Sequence, residues 1–265
     1  MFDCITPDAS MNYFAHQTAA ERYARGRPYF HPVIIGKIRD FLKLEGQIPL
    51  AMDVACGTGQ SAVALAEIAA HVVAVDQSLE MLLEVAAHPR ITYVEASAEQ
   101  LPPLAGHSVD LMTVSLAFHW FDRPRFLIEA RRLLEPEGAL VIYGNGFRGC
   151  MNENPAFAQW NRESYVTRYP TPPRNNEPFD DEAARKHGFT FLGRETYTNE
   201  ITFSPEQLAA YLMTQSNVIA AVEQGGETAE NAHAWLLDAV APFFASTTAT
   251  FPFGGEIWYL RPSKD

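Results

Sequence analysis

Cysteine is scarce in this chain of 265 residues: Cys4, Cys56 and Cys150 are the only three, odd in number and far apart. That pattern excludes a disulfide framework and points to free thiols in a reducing compartment. The eight histidines are dispersed, with no His-x-x-x-His and no Cys-x-x-Cys, so no dedicated metal site is expected. No apolar run approaches the ~20 residues that a membrane-spanning helix needs. The opening MFDCITPDAS is acidic and lacks the basic stretch and apolar run of a secretory leader. Positive charge is also short, with 20 Lys and Arg against 32 Asp and Glu, a formal net charge of -12. Such a chain is repelled by phosphate backbones and anionic bilayers, so neither nucleic acid nor a membrane is an expected partner. A soluble cytoplasmic protein remains. Its 47% hydrophobic and 20% charged residues predict a packed core, not disorder.

A mildly amphipathic helix is predicted from about Ser10 to Arg25, with Met11, Phe14, Ala15, Thr18 and Ala19 on one face. A second runs from Val33 to Leu44. Short apolar strands and helices then alternate. LAMDVA, HVVAVD, ITYVEA, VDLMTVSLA and ALVIYGNG read as strands. QSAVALAEIAA reads as a helix, as does Leu79 to Ala87 with Ser78 as its N-cap. A further helix runs from Asp122, its cap, to Leu134 with Pro124 in the first turn, and EPEG reads as a turn. Continuous apolar strands between helices signify a parallel sheet covered on both faces, doubly wound by right-handed crossovers. Beyond Gly146 the chain is rich in Asn, Pro, Arg and aromatics and reads as one helix plus a long irregular loop. FTFLGRETYTNEITF is a strand. SPEQ opens a helix with a capping box of Ser204 and Gln207. Ala229 to Phe244 is another helix, and ATFPFGGEIWYLRP a last strand or hairpin.

The first strand ends in a glycine turn, AMDVACGTGQSAVALA, and ligands of doubly wound sheets bind at that end. Two acids narrow the choice of ligand. Asp53, four residues before Gly57, would repel a pyrophosphate in a low-dielectric cleft but suits a ligand with an ammonium and a sulfonium. Asp76 ends the second strand, where it can accept hydrogen bonds from ribose hydroxyls. Together they predict a nucleoside without phosphates.

Five ordered segments, DVACGTG, VVAVDQSLEML, VEASAEQLP, VDLMTVSLAFHWFD and EARRLLEPEGALVI, resemble the successive motifs of class I S-adenosylmethionine-dependent methyltransferases. AFHWFD and the N-terminal YARGRPYF are similar to the small-molecule branch that includes trans-aconitate-type methyltransferases. The resemblance implies a Rossmann-like α/β fold: a mostly parallel seven-stranded sheet with its last strand antiparallel, an N-terminal helical lid and a C-terminal helical cap. Residues 1–45 would be the lid, 46–147 the cofactor-binding core, and 148–265 the remaining strands with the substrate cap, all within one structural domain.

It implies S-adenosylmethionine as cofactor, S-adenosylhomocysteine as product, and a small-molecule acceptor such as a carboxylate or another oxygen nucleophile. Asp53, Ala55, Gly57 and Gly59 match the motif that cradles the methionine part. Asp76 matches the ribose-binding acid, and Gln77 and Met81 match positions lining the adenine. Ala98 and Glu99 match the loop at the adenine edge, and Ser115 lies beneath the sulfonium. Tyr23 and Arg27 match the segment that closes over the cofactor. His119, after the fourth strand, is a candidate general base, set against a packing role for FHWF. Trp120, Arg148 and Arg174 are candidate substrate-binding residues, the arginines as carboxylate ligands or as solvated surface charges. A nicotinamide-dependent dehydrogenase and a non-catalytic cofactor-binding protein are the alternatives. The oligomeric state is open.

Overall fold

A computed structural model describes residues 16–264; Met11, Phe14 and Ala15 of the expected first helix, and Cys4, lie outside them. Helices α1 (Gln17–Gly26) and α2 (His31–Leu42) precede the apolar runs, which form β1 (Ile48–Val54), β2 (Ala69–Asp76), β3 (Ile91–Glu95), β4 (Val109–Ser115) and β5 (Leu134–Tyr143). Between them lie α3 (Gln60–Leu65), α4 (Leu79–Leu83) and α5 (Arg123–Leu133). β1 pairs in parallel with both β2 and β4, β2 with β3, and β4 with β5. The order 3-2-1-4-5 therefore reverses between β1 and β4. β8 (Ala249–Pro262) lies antiparallel on β5, and β7 (Phe189–Phe203) pairs with β8. These are the seven long strands anticipated. A two-residue strand, β6 (Gly146–Phe147), makes an eighth.

The strands are apolar throughout because both faces are covered. Met52, Val54, Met112, Val114, Leu140 and Ile142 pack with Phe126 and Leu127 of α5. Ala51, Leu111 and Val141 pack with Ile34, Ile35 and Ile38 of α2 and Ala62 and Leu65 of α3. The side-chain alternation of a strand puts Asp53, between Met52 and Val54, on the second of these faces.

Several boundaries differ from the sequence reading. α3 ends at Leu65, because the Ala-rich segment after it is recruited into β2, where Ala69 pairs with Ile48. α4 ends at Leu83, well short of Ala87. EPEG, read as a turn, lies inside β5 as an excursion. Val109 faces Leu134, but Leu111 faces Ala139, so the register slips across Glu135–Gly138. Gly138 makes this possible, since a Cβ there would stand 3.0 Å from the Val109 carbonyl oxygen and 3.1 Å from that of Asp110. Two helices had no counterpart in the reading, α8 (Asp181–Lys186) and α10 (Ser216–Glu223). Both are too short to establish a period.

The chain forms two compact units. The core unit comprises Tyr29–Gly146, Glu177–Asn199 and the residues from Gly254 on. The cap unit comprises the residues up to Pro28, Phe147–Asn176 and Glu200–Phe253. The division falls between α1 and α2, so the two N-terminal helices belong to different units. Within the cap, α1 meets α9 (Pro205–Leu212) closely enough that a Cβ on Gly26 would lie 2.6 Å from the Ala210 carbonyl oxygen. The helix expected after Gly146 is three consecutive turns, α6 (Ala156–Trp160), a π-helical turn Asn161–Tyr165, and α7 (Val166–Arg168). The Ser204–Gln207 capping box forms in both directions, at 2.8 and 3.2 Å. α11 (Ala229–Val240) completes a cap interior dominated by aromatics, including Phe157, Tyr169, Tyr211, Phe251 and Phe253.

Candidate active site

The glycine turn leaves β1 at the point where the strand order reverses, the place where such sheets bind ligands. Ala55, Gly57 and Gly59 all take left-handed backbone, with φ of 58°, 55° and 81°. Only glycine does so without cost, so Ala55 is strained. A Cβ on Gly59 would stand 2.8 Å from the Tyr93 hydroxyl, which leaves no room for a side chain.

Two buried carboxylates stand near the turn, and one of them, Asp76, bonds it directly. Asp76 accepts from the Gly57 N–H at 2.8 Å through Oδ2 and from the Ser78 N–H at 2.9 Å through Oδ1. One side chain thus joins the end of β2 to the loop after β1. Asp53 is fully buried and accepts from the Ser61 hydroxyl at 2.5 Å and from the Thr113 hydroxyl at 2.8 Å. Desolvation pushes its carboxyl up to about 6, against the pull of those two hydrogen bonds and with the help of the Asp76 charge. Asp76 is raised for the same first reason and held back by backbone N–H groups. Burial beside these acids also drives the Cys56 thiol well above its ordinary range, so Cys56 is an inert small residue and no nucleophile.

Ser115 ends β4 with a buried hydroxyl oxygen, opposite Tyr143 on β5. Leu116, the next residue, has φ of 56° and donates its N–H to the Tyr143 carbonyl at 2.9 Å. A left-handed leucine at a strand end is a strained residue. The Tyr143 hydroxyl in turn lies 3.1 Å from His31 Nδ1.

On the other side of the turn, Met81 is buried and donates its N–H to the Ser78 oxygen at 3.2 Å, while Gln77 is exposed. Ala98 is buried. The Glu99 carboxylate accepts from the Asp122 N–H at 2.9 Å, so it is committed to the start of α5. A shallow cavity of about 340 Å³ opens at the end of β3, lined by Val94, Glu95, Ser97, Gln100 and Pro103 among others. His119 is half-buried in a short 3₁₀ turn, its ring centroid 4.6 Å from that of Trp120.

Tyr23, Arg27, Arg148 and Arg174 belong to the cap unit. Arg27 donates to the Thr214 carbonyl at 2.9 Å and stacks its guanidinium 4.6 Å over the Tyr23 ring. Arg174 is half-buried and lies 3.4 Å from the Ser216 hydroxyl, and burial lowers its pKa. Arg148 is exposed. Sequence reasoning had passed over Ser61, Thr113, Tyr93, His31 and Tyr143. A threonine inside the apolar run LMTVS was the available sign, because a buried hydroxyl there must find a partner.

A parallel sheet of this order closed by an antiparallel strand, with a glycine turn seated on two buried acids, defines a nucleoside-binding fold of the methyltransferase type. The comparisons agree. A family described as "Methyltransferase domain" matches residues 52–142. A protein of Dictyostelium discoideum named as a methyltransferase is 30% identical over 182 residues, covering 67% of this chain and 68% of its own length. An uncharacterized methyltransferase of Mycobacterium tuberculosis is 36% identical over 143 residues, 54% of this chain and 55% of the relative. Among solved structures, one from Anaeromyxobacter dehalogenans named as a type II methyltransferase is 25% identical with a TM-score of 0.69, covering 90% of this chain and 99% of that one. This chain belongs to the class I S-adenosylmethionine-dependent methyltransferases, and it is an enzyme of that class. Among the described residues no helix is long and apolar enough to cross a membrane.

Proposed function

We propose that the enzyme binds S-adenosylmethionine on the Gly57–Gly59 turn and transfers its methyl group to a small-molecule acceptor, an oxygen nucleophile of the carboxylate class. The observation that carries the cofactor reading is the pair of buried acids, Asp53 and Asp76, under a single glycine turn. Two anionic groups in a low-dielectric site oppose a pyrophosphate and favour a ligand carrying an ammonium and a sulfonium.

S-adenosylmethionine supplies a methyl carbon already activated by positive sulfur. The chain's contribution is alignment and exclusion of water, and positioning of that kind contributes roughly 7 to 11 kcal/mol. Gly57, Gly59 and Asp53 would orient the methionine part, and Asp76 with Met81 the nucleoside. Trp120 would shield the transfer point. A carboxylate acceptor needs no base; His119 would serve as one for a hydroxyl acceptor. The small-molecule reading rests on the net charge of -12, which disfavours nucleic acid as substrate, and the trans-aconitate-type reading on the resemblance carried by AFHWFD and YARGRPYF. The carboxylate reading rests on that resemblance with Arg148 and Arg174, which suit a carboxylate.

Calorimetric titration with S-adenosylhomocysteine and with NADH tests the cofactor. Binding of the first and not the second supports the reading, and Asp76→Asn should weaken it at least tenfold. Binding of NADH alone would overturn it. A screen of carboxylates and alcohols with labelled methyl donor then tests the acceptor; turnover confined to nitrogen or carbon acceptors would remove the oxygen assignment.

A further inference from the structure

The antiparallel end of the sheet carries a long strand on its outside. β5 pairs with β8 from Ile257 to Leu260. The chain after β5 continues along the same edge of β8, where the Gly144 N–H donates to the Glu256 carbonyl and the Arg148 N–H to that of Pro252. β7 takes the other edge and, among the described residues, pairs with no strand but β8. It is therefore outermost, and it turns a row of backbone N–H and C=O groups outward along 15 residues. Proteins blunt such edges by shortness, proline or lysine, because an open edge pairs with other chains. β3, at the opposite edge of the sheet, is five residues long and follows closely on Pro89. β7, FTFLGRETYTNEITF, is three times that length and has neither proline nor lysine. Its four threonines add to its strand propensity.

The charges on this strand say what fits against it. Every second residue from Thr190 to Thr202 is exposed. Among them Arg194, Thr196, Thr198 and Glu200 share a face by the alternation of a strand. Arg194 stacks 3.8 Å over the Phe191 ring and lies 3.5 Å from Asp181, an exposed partner. Glu200 accepts from Asn152 at 3.0 Å. Along the face the order is positive, Thr, Thr, negative, and this order is its own complement when reversed. Two such strands, antiparallel about an axis at Tyr197, set Arg194 of each copy opposite Glu200 of the other. Thr196 then faces Thr198, and on the other face Glu195 meets Asn199. No like charges stand opposite. An axis at Thr196 or Thr198 breaks both ion pairs, and one at Arg194 or Glu200 sets like charges together. Opposite charges and paired threonines directly across a ladder stabilise it, and like charges weaken it. The charge pattern thus selects one register and a second copy of the same strand.

We propose that β7 is a dimer contact: two copies of the chain join edge to edge, antiparallel about Tyr197, with Arg194 and Glu200 forming two reciprocal ion pairs. The two sheets become one continuous sheet. The same patch is used on both copies, so the contact closes at two and removes the open β7 edge from each. The contact is independent of which ligand or acceptor the enzyme takes.

Sedimentation velocity of the full-length chain over a range of concentrations tests this. At about 0.15 M salt, charges more than about 8 Å apart are screened, so the net charge of -12 on each copy does not hold two copies apart. The wild type should sediment as a dimer. Arg194→Glu and Glu200→Arg each set like charges opposite at two places and should weaken the dimer about tenfold or more. The double variant exchanges the charges and should restore the wild-type dimer. Circular dichroism of each variant checks that it is folded. If a charge variant fails to fold, disulfide trapping decides. Thr196→Cys and Thr198→Cys chains, each with Cys4 and Cys150 changed to serine, should cross-link under an added oxidant when mixed and not when alone. A monomeric wild type would overturn the proposal. So would a dimer that neither single variant weakens, one that the double variant does not restore, or cross-linking no greater in the mixture than in either chain alone.

Discussion

Asp53 shows how a single residue can be set against the stability of its own fold. Its carboxyl titrates at about 6 in the folded chain, against an ordinary value of 3.8, because desolvation outweighs two hydroxyl hydrogen bonds. A raised carboxyl means that the folded state holds a proton the unfolded chain has released. Its contribution is therefore fully present below about pH 4 and lost as pH rises through about 6. The gap between 3.8 and about 6 amounts to about 3 kcal/mol. Asp53→Asn should be more stable than the wild type above pH 7 by about 1 to 3 kcal/mol, since the amide can still bond Ser61 and Thr113. The advantage should vanish near pH 4, as urea unfolding at several pH values would reveal, while affinity for S-adenosylmethionine falls. Ala55 makes a smaller case of the same kind. Left-handed backbone costs a non-glycine residue roughly 1 to 2 kcal/mol, and glycine's extra freedom in the unfolded chain returns part of that. Ala55→Gly should raise stability by about 0.5 kcal/mol, read as a shift in urea midpoint without a change in slope.

At the scale of elements, the excursion in β5 rests on Gly138. Its missing side chain leaves contact distance to three backbone oxygens, those of Val109, Asp110 and Glu135, at 3.0 to 3.1 Å. Backbone atoms cannot rotate aside, so Gly138→Ala should destabilise the core by about 1 to 3 kcal/mol, visible as a lower midpoint in urea. The same element shows how far sequence reading extends. The five parallel strands were legible because fully buried strands are continuous in apolar residues, and the caps at Ser78, Asp122 and Ser204 because short polar side chains in those positions have one common use; the order of the strands was not read. The excursion was not legible: Glu-Pro-Glu-Gly has turn chemistry, and only the facing strand decides that pairing resumes beyond it. The glycine turn and its two buried acids could be located from the sequence, through Asp53, Gly57, Gly59 and Asp76. The hydroxyls that meet Asp53, and the His31–Tyr143 pair, come from positions remote in the chain, and no local pattern brings them together.

For the whole molecule, the cofactor reading carries a thermodynamic consequence. A ligand that binds only the folded chain, at a hundred times its dissociation constant, adds about 2.7 kcal/mol. For a chain of this length each kcal/mol moves the unfolding temperature by roughly 2 to 4 °C. S-adenosylhomocysteine at that excess should therefore raise the transition by about 5 to 10 °C, and NADH should leave it unmoved.

The two units are interleaved along the chain: it passes from one to the other five times, the last time at Phe253 and Gly254. The stretch of β8 that pairs with β5, from Ile257 to Leu260, comes after every other segment of the sheet. During vectorial synthesis the ribosome thus releases the glycine turn and its two acids early, while the strand that must lie against β5 is still unmade. Until then β5 has a bare edge, and nascent chains are open to pairing with one another through it. Stalling or premature termination just before Ile257 would leave that edge uncovered, so chains cut short there should pair with one another through β5 and aggregate.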